Sequence, residues 1–241
     1  VLTNLKTGKV KMSFFQKTAY ALTITTMVAS PIMATQTYAA AASTQVATNN
    51  LVKQLSAIQN LTADFEQSTK LTNPKTNQKK NQPMPQHMNQ NFTGQMKVAR
   101  PGKFYWKTVK PAEQTIVTTG QSVWIYDPDL QQAVKQQLDD QVANTPALLL
   151  SGNAEQIMQA YEVSQPDAKK TYYSLTPKND EGAFERLLIS FGKNKAPSLM
   201  ILQDAMGQTT TIKFKNTKLN ANIDQSVFNF TPPKGTDIIE Q

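Results

Sequence analysis

The stretch QMKVARPGKFYWK, residues 95–107, decides how the rest of the chain is read. Apolar and polar residues alternate on both sides of Pro101-Gly102, the pattern of two strands broken by a turn. The alternation puts Met96, Val98, Arg100, Phe104 and Trp106 on one face and Lys97, Lys103, Tyr105 and Lys107 on the other. Arg100 therefore falls in phase with an apolar row. A guanidinium carries five donors and keeps its charge. At the margin of an apolar surface it either finds acceptors such as backbone carbonyls or a carboxylate, or snorkels to water over its own stem. The first outcome makes it a latch.

Working outward, residues 1–41 read as leader. Lys6, Lys9, Lys11 and Lys17 form a basic start, residues 19–34 are largely apolar, and small-residue cleavage sites occur around Ala39 to Ala42. Met12-Ser13 is a plausible alternative start to Val1. The apolar run is short for a bilayer span and is interrupted by threonines and Pro31, so a secretory signal is expected in preference to a membrane anchor. The whole chain carries a formal +8; removing four leader lysines leaves 8 − 4 = +4 for residues 42–241. So modest an excess, without a basic-aromatic motif, makes nucleic acid a poor candidate partner. There is no cysteine, so an exported fold would rest on packing without disulfides, and no acyl anchor could be attached at a cleavage-site cysteine.

Leu51, Leu55 and Ile58 recur at i, i+4, i+7 behind Thr48 or Asn49 as cap, which predicts one amphipathic helix ending near Gln59-Asn60. From Leu61 the period becomes two, with Leu61, Ala63 and Phe65 alternating with Thr62, Asp64 and Glu66. Residues 70–91 hold three prolines, four lysines and many amides but almost no apolar side chain, and are expected to form a flexible polar loop. The only histidine, His87, lies there and reads as a solvated residue, with no metal site expected.

Downstream, residues 114–118 and 122–127 form a hairpin around Thr119-Gly120-Gln121, and residues 131–138 return as a third strand. Thr145-Pro146 opens a short helix over Ala147-Leu148-Leu149-Leu150, and residues 154–160 form another. Strands resume at 161–164, 172–176, 184–191, 199–203 and 208–214, and the chain closes on Val227-Phe228-Asn229-Phe230 and Pro232-Pro233. Roughly ten short consecutive strands and three helical pieces predict a mainly β, α+β antiparallel sheet with helices on one face. Residues 42–241 are expected to be a single domain.

Catalytic chemistry is thinly represented. One histidine, no cysteine, no GxSxG elbow and no phosphate-binding glycine motif leave carboxylates alone: Asp64 with Glu66, or Asp127 with Asp129. What stands out is apolar. Phe65, Phe104, Trp106, Trp124 and Tyr126 lie on successive strands, and a sheet that curves without closing would gather them into a hollow roofed by helices.

The segments VARPGKFYWK, PAEQTIVTTGQSVWIYDPDLQQAVKQQL, NTPALLLSG and FNFTPPKGTDIIEQ, in this order, resemble the periplasmic outer-membrane lipoprotein carriers of the LolA type, from NLTADFEQ at Asn60 to the C-terminus. The resemblance implies an unclosed β-barrel with a helical lid over a cavity for lipoprotein acyl chains. It implies that Arg100 bonds lid backbone, with Leu150 and Ser151 as acceptors, and that Phe104 receives cargo at the mouth. The cavity set it implies comprises Phe65, Met96, Val98, Phe104, Trp106, Trp124, Tyr126, Leu148 and Leu149. A periplasmic monomer without cofactor or enzymatic activity is expected. Its partners would be triacylated lipoproteins, an inner-membrane ABC lipoprotein-release complex and an outer-membrane lipoprotein receptor. The polar insert at 70–91 departs from the family pattern. Two alternatives stay open: a related lipid-binding or envelope-stress-sensing module of the same shape, and a periplasmic carboxylate hydrolase.

Overall fold

The computed structural model describes residues 32–71, 90–119, 121–137, 148–178 and 184–241. A helix, α1 (Ile32–Ser56), leads into a first run of strands: β1 (Asn60–Leu71), β2 (Gln90–Ala99), β3 (Lys103–Lys110), β4 (Gln114–Thr119), β5 (Ser122–Asp127) and β6 (Gln132–Gln137). A 3-10 turn (Leu148–Leu150) and α2 (Ala154–Ala160) follow. The second run is β7 (Tyr161–Ser164), β8 (Tyr172–Pro177), β9 (Arg186–Phe191), β10 (Pro197–Gln203) and β11 (Gln208–Leu219). A second 3-10 turn (Gln225–Phe228) and β12 (Asp237–Glu240) end the chain.

Among the described residues, twelve strands form one sheet in the order β12-β6-β5-β4-β3-β2-β1-β11-β10-β9-β8-β7. Two meanders are thus joined along β1 and β11, and the sheet does not close on itself. Every neighbouring pair is antiparallel except β12, which lies parallel to β6. The expected break at Pro101-Gly102 is the β2–β3 turn, and Gly102 sits there at φ +71, a conformation open to glycine.

Register assigns the faces. Met96 lies opposite Ala63 and Trp106, Trp106 opposite Ile116, and Ile116 opposite Ile125. Val98 lies opposite Leu61 and Phe104. With Phe65, Phe214, Ile212, Met200, Ile189, Leu175 and Val163, these residues make one apolar inner face. Two helices cover part of it. Ala47, Leu51, Leu55 and Ile58 of the α1 region and Ala154 and Ile157 of α2 are all nearly fully buried in the same cluster.

Four expectations change. The amphipathic helix begins well upstream of Thr48, whose hydroxyl donates to Thr44 O at 2.9 Å inside α1 instead of capping its start. The alanine-rich run before it has high helix propensity and carries the helix on. Val227 and Phe228 end a 3-10 turn and not a strand, because the Asp224 carboxylate caps it by accepting from Ser226 N at 3.0 Å. The twelfth strand, DIIE, was not expected. The polar insert is narrower than expected at both ends, since β1 runs to Leu71 and β2 starts at Gln90; His87 and the Thr145-Pro146 helix start lie outside the described residues.

The seam between the first strands depends on a missing side chain. Gly94 stands opposite Phe65, and the Phe65 ring lies across it to stack on Trp106, with centroids 3.7 Å apart at 21°. A Cβ at Gly94 would lie 2.0 Å from Lys107 O and 2.6 Å from Phe65 Cζ. Gly94→Ala is therefore expected to lower stability by about 1–3 kcal/mol through overpacking, read as a lower urea midpoint. An unchanged midpoint would show that the seam has room to spare.

Candidate functional site

The site is the inner face and the lid that lies on it. Phe65, Met96, Val98, Phe104 and Trp106 are brought together there, each 7% exposed or less, with Phe104 and Trp106 rings stacked at 6.1 Å. Leu149 and Leu150 of the lid turn are buried in the same cluster. Leu148 opens that turn; its side chain lies outside the described residues. The apolar residues of the sheet and of this turn fill one another's space.

Trp124 and Tyr126 are not on this face. Trp124 pairs with Val117 and Tyr126 with Ala133, so both point to the opposite side of the sheet, where the Phe230 ring lies 5.5 and 5.6 Å from them. The stretch SVWIYD is apolar on both faces, and alternation alone leaves open which face is inward. The inward residues of β5 are Val123 and Ile125. The outer face here is covered by the chain's own end: Ile223 and Phe228 pack with Ala99, Tyr105 and Val227. Phe228 and Phe230, two aromatics in a short tail, were the sequence signal that the outer face also needs covering.

Arg100 bonds the backbone after the Leu148–Leu150 turn, at a different carbonyl from the two expected. Arg100 Nη1 donates to Gly152 O at 2.8 Å, while Ser151 O accepts the backbone N–H of Gly102, also at 2.8 Å. Arg100 N donates to Gln59 O at 2.8 Å. The β2–β3 turn is thus tied both to the lid and to the end of the α1 segment. Leu150, expected as an acceptor, instead contributes its side chain to the core. Arg100 Nε and Nη2 are buried without a partner among the described residues, and burial lowers the guanidinium pKa. Unsatisfied buried donors offset part of what the Nη1 bond contributes to stability.

A residue that alternation does not reveal fixes the geometry of the turn. Thr118, fully buried, donates its hydroxyl to Gly102 O at 2.6 Å and accepts from Phe104 N at 2.8 Å. Both backbone groups flank the turn that carries Arg100, so the threonine holds the latch and Phe104 in place together. Threonine is common in strands, and nothing in TIVTT marks this one.

Three of the four candidate carboxylates are engaged in structure. Asp64 accepts from Asn216 Nδ2 at 2.7 Å, Glu66 pairs with Lys215, and Asp127 Oδ1 closes a turn by accepting from Leu130 N at 3.1 Å. No group of three His, Cys, Asp or Glu side chains suited to a metal occurs among the described residues.

Residues 56–231 match the family described as "Outer membrane lipoprotein carrier protein LolA". The chain belongs to the LolA family. Relatives named outer-membrane lipoprotein carrier protein include one from Alcanivorax borkumensis, 39% identical over 81% of this chain and 88% of its own length. Another, from Hahella chejuensis, is 44% identical over 63% of this chain and 74% of its own. A LolA superfamily protein of solved structure from Nitrosomonas europaea aligns with a TM-score of 0.42 at 13% identity, covering 75% of this chain and 97% of its own.

Thr118→Val removes both hydroxyl bonds and leaves Phe104 N buried and unpaired, at an expected cost of about 1–3 kcal/mol, with a smaller loss from the partly buried Gly102 O. Thr118→Ser, keeping the hydroxyl, should retain most of the stability in a thermal or urea melt. Equal losses in the two variants would assign the position to packing by the methyl group.

Proposed function

We propose that the protein is a periplasmic carrier that shields the acyl chains of triacylated lipoproteins between an inner-membrane ABC release complex and an outer-membrane receptor. The observation that carries this reading is a continuous apolar face in a sheet that does not close, under a lid tied to the β2–β3 turn by Arg100 Nη1 and Gly152 O. Membership of the LolA family supports the cargo class. Residues 1–41 serve as the export signal in this reading. A cut ahead of Ala42 falls within α1 and keeps Ala47, Leu51 and Leu55, which are buried in the core.

The energetics follow from the lid's position. A dozen methylenes per acyl chain, at about 0.8 kcal/mol each, give on the order of 10 kcal/mol per chain shielded from water. Cargo must displace Leu149 and Leu150 from the inner face and break the bond to Gly152, which a charged donor strengthens to about 1.5–3 kcal/mol. The empty form therefore closes on itself, and closing drives release toward the next acceptor. No step of this cycle breaks a covalent bond, so the protein acts as a carrier and not as a catalyst.

Native mass spectrometry of the protein from the periplasm of receptor-depleted cells tests the reading. A one-to-one complex with a triacylated lipoprotein is expected; a free-lipid adduct would favour the related lipid-binding module, and no adduct would remove the carrier role. Arg100→Leu is expected to hold cargo and deliver it poorly. The substitution removes the tie that favours closure and adds apolar surface at the rim, and each effect favours the loaded form. Delivery to the outer membrane should fall by about tenfold or more, the factor for ~1.4 kcal/mol. Normal delivery by that variant would remove the latch role.

A further inference from the structure

At the end of the molecule where α1 runs out over the second meander lies a half-open cavity of about 410 Å³, distinct from the lidded mouth around Arg100. Its floor is apolar, formed by Ile58, Tyr173 and Leu219. Ile58 and Tyr173 are almost fully buried and belong to the inner-face cluster, against which Leu219 packs, so the floor of the cavity is the margin of the apolar core. Its rim carries Lys53, Lys195, Asn50 and Asn194, and no carboxylate lines it.

The charge is uncompensated at close range. The ion pairs among the described residues engage Lys107, Lys135, Lys170 and Lys215, and neither rim lysine takes part in one. Lys53, in the last turn of α1, suits the negative end of that helix, but the terminal carbonyls nearby already have partners. Ser56 O accepts from Gln59 Nε2 and Ala57 O accepts from Asn220 Nδ2. Lys195, on the β9–β10 turn, has no such role.

The walls are held rigidly. Asn220, at φ +53, also accepts from Gln59 N at 2.8 Å and Asn60 N at 3.3 Å, stapling the end of α1 to the end of β11. The facing wall is the hairpin tip closed by Gly192 N to Ala196 O and Lys195 N to Gly192 O, with Lys195 at φ +63. Two of the residues held at positive φ thus line the same cavity. A non-glycine residue kept there costs free energy that the surrounding structure must offset.

We propose that this cavity binds a single-chain anionic amphiphile, its carboxylate or phosphate head between Lys53 and Lys195 and its chain on Ile58, Tyr173 and Leu219. The volume lies at the lower end of the range for small-molecule sites, ~300–1,000 Å³, which favours one chain over several. The inference does not rest on the carrier reading, because Lys53 and Lys195 line this cavity and neither Arg100 nor the Leu148–Leu150 turn does.

The test is binding of decanoate, decyl phosphate and an uncharged decyl glucoside to the full chain, read by calorimetry and by amide NMR shifts. Both anions, or one of them, should bind at least tenfold more tightly than the glucoside, with shifts at residues 53–58, 194–195 and 219–220. Decanoate alone would assign a carboxylate head and decyl phosphate alone a phosphate head. The preference should fall to parity in Lys53→Gln/Lys195→Gln, two exposed-rim changes that leave the core intact, while the unfolding midpoint stays unchanged. Equal binding of all three ligands, an unaltered preference in the double variant, or shifts confined to residues 96–106 would each overturn the proposal. The last outcome would place the ligand on the lidded face and leave the carrier reading standing.

Discussion

An open sheet with one continuous apolar face has to be covered, and that constraint organises the molecule. A closed barrel buries its inner face by curvature; this sheet ends at β12 on one side and β7 on the other, and must recruit other elements. α1 and α2 supply a permanent cover over part of the face, and the Leu148–Leu150 turn covers the part nearest the β2–β3 turn. Packing alone would make that cover as fixed as the rest of the core. Two hydrogen bonds add to that packing and tie the turn to the β2–β3 turn, while two donors of Arg100 stay buried without a partner among the described residues.

The opposite face solves a second covering problem with the chain's own tail. Phe230 over Trp124 and Tyr126, and Phe228 with Ile223 over Ala99 and Tyr105, bury the outward aromatics, and β12 then pairs with the free edge of β6. An unpaired edge invites association with other strands, and a short parallel strand flanked by Lys135 and Glu240 blunts it. Both faces of the first meander are therefore occupied, one by the lid and one by the tail.

Much of this was legible in the chain. Residues 95–107 specified the inward row from Met96 to Trp106 because lysines mark the other face so plainly, and α2 and β7 fall where their periodicities placed them. The meander followed from closely spaced turns. Legibility failed where both faces of a strand are covered: SVWIYD has no wet side, so only its pairing with β4 shows that Ile125 and not Trp124 is inward. The exact acceptor of Arg100 was likewise out of reach, because Leu150, Ser151 and Gly152 all offer carbonyls and only the path of the turn decides among them. Thr118 holds backbone groups of the neighbouring strand and turn, and Asn220 holds groups more than 150 residues away, through side-chain bonds that leave no local signature.

The seam between the two meanders has a consequence for how the protein is made. Glu66 of β1 and Lys215 of β11, ion-paired across it, are 149 residues apart in the chain. Neighbours elsewhere in the sheet are mostly joined by short connections, so each meander can assemble locally while the seam waits for nearly the whole polypeptide. Closing so long a loop adds entropy cost and slows the final step, as expected for a topology rich in distant pairings. During that interval β1 exposes one paired and one bare edge, and the inner face lacks half its walls. Such a chain reaches its compact state only once β11 is available to pair with β1.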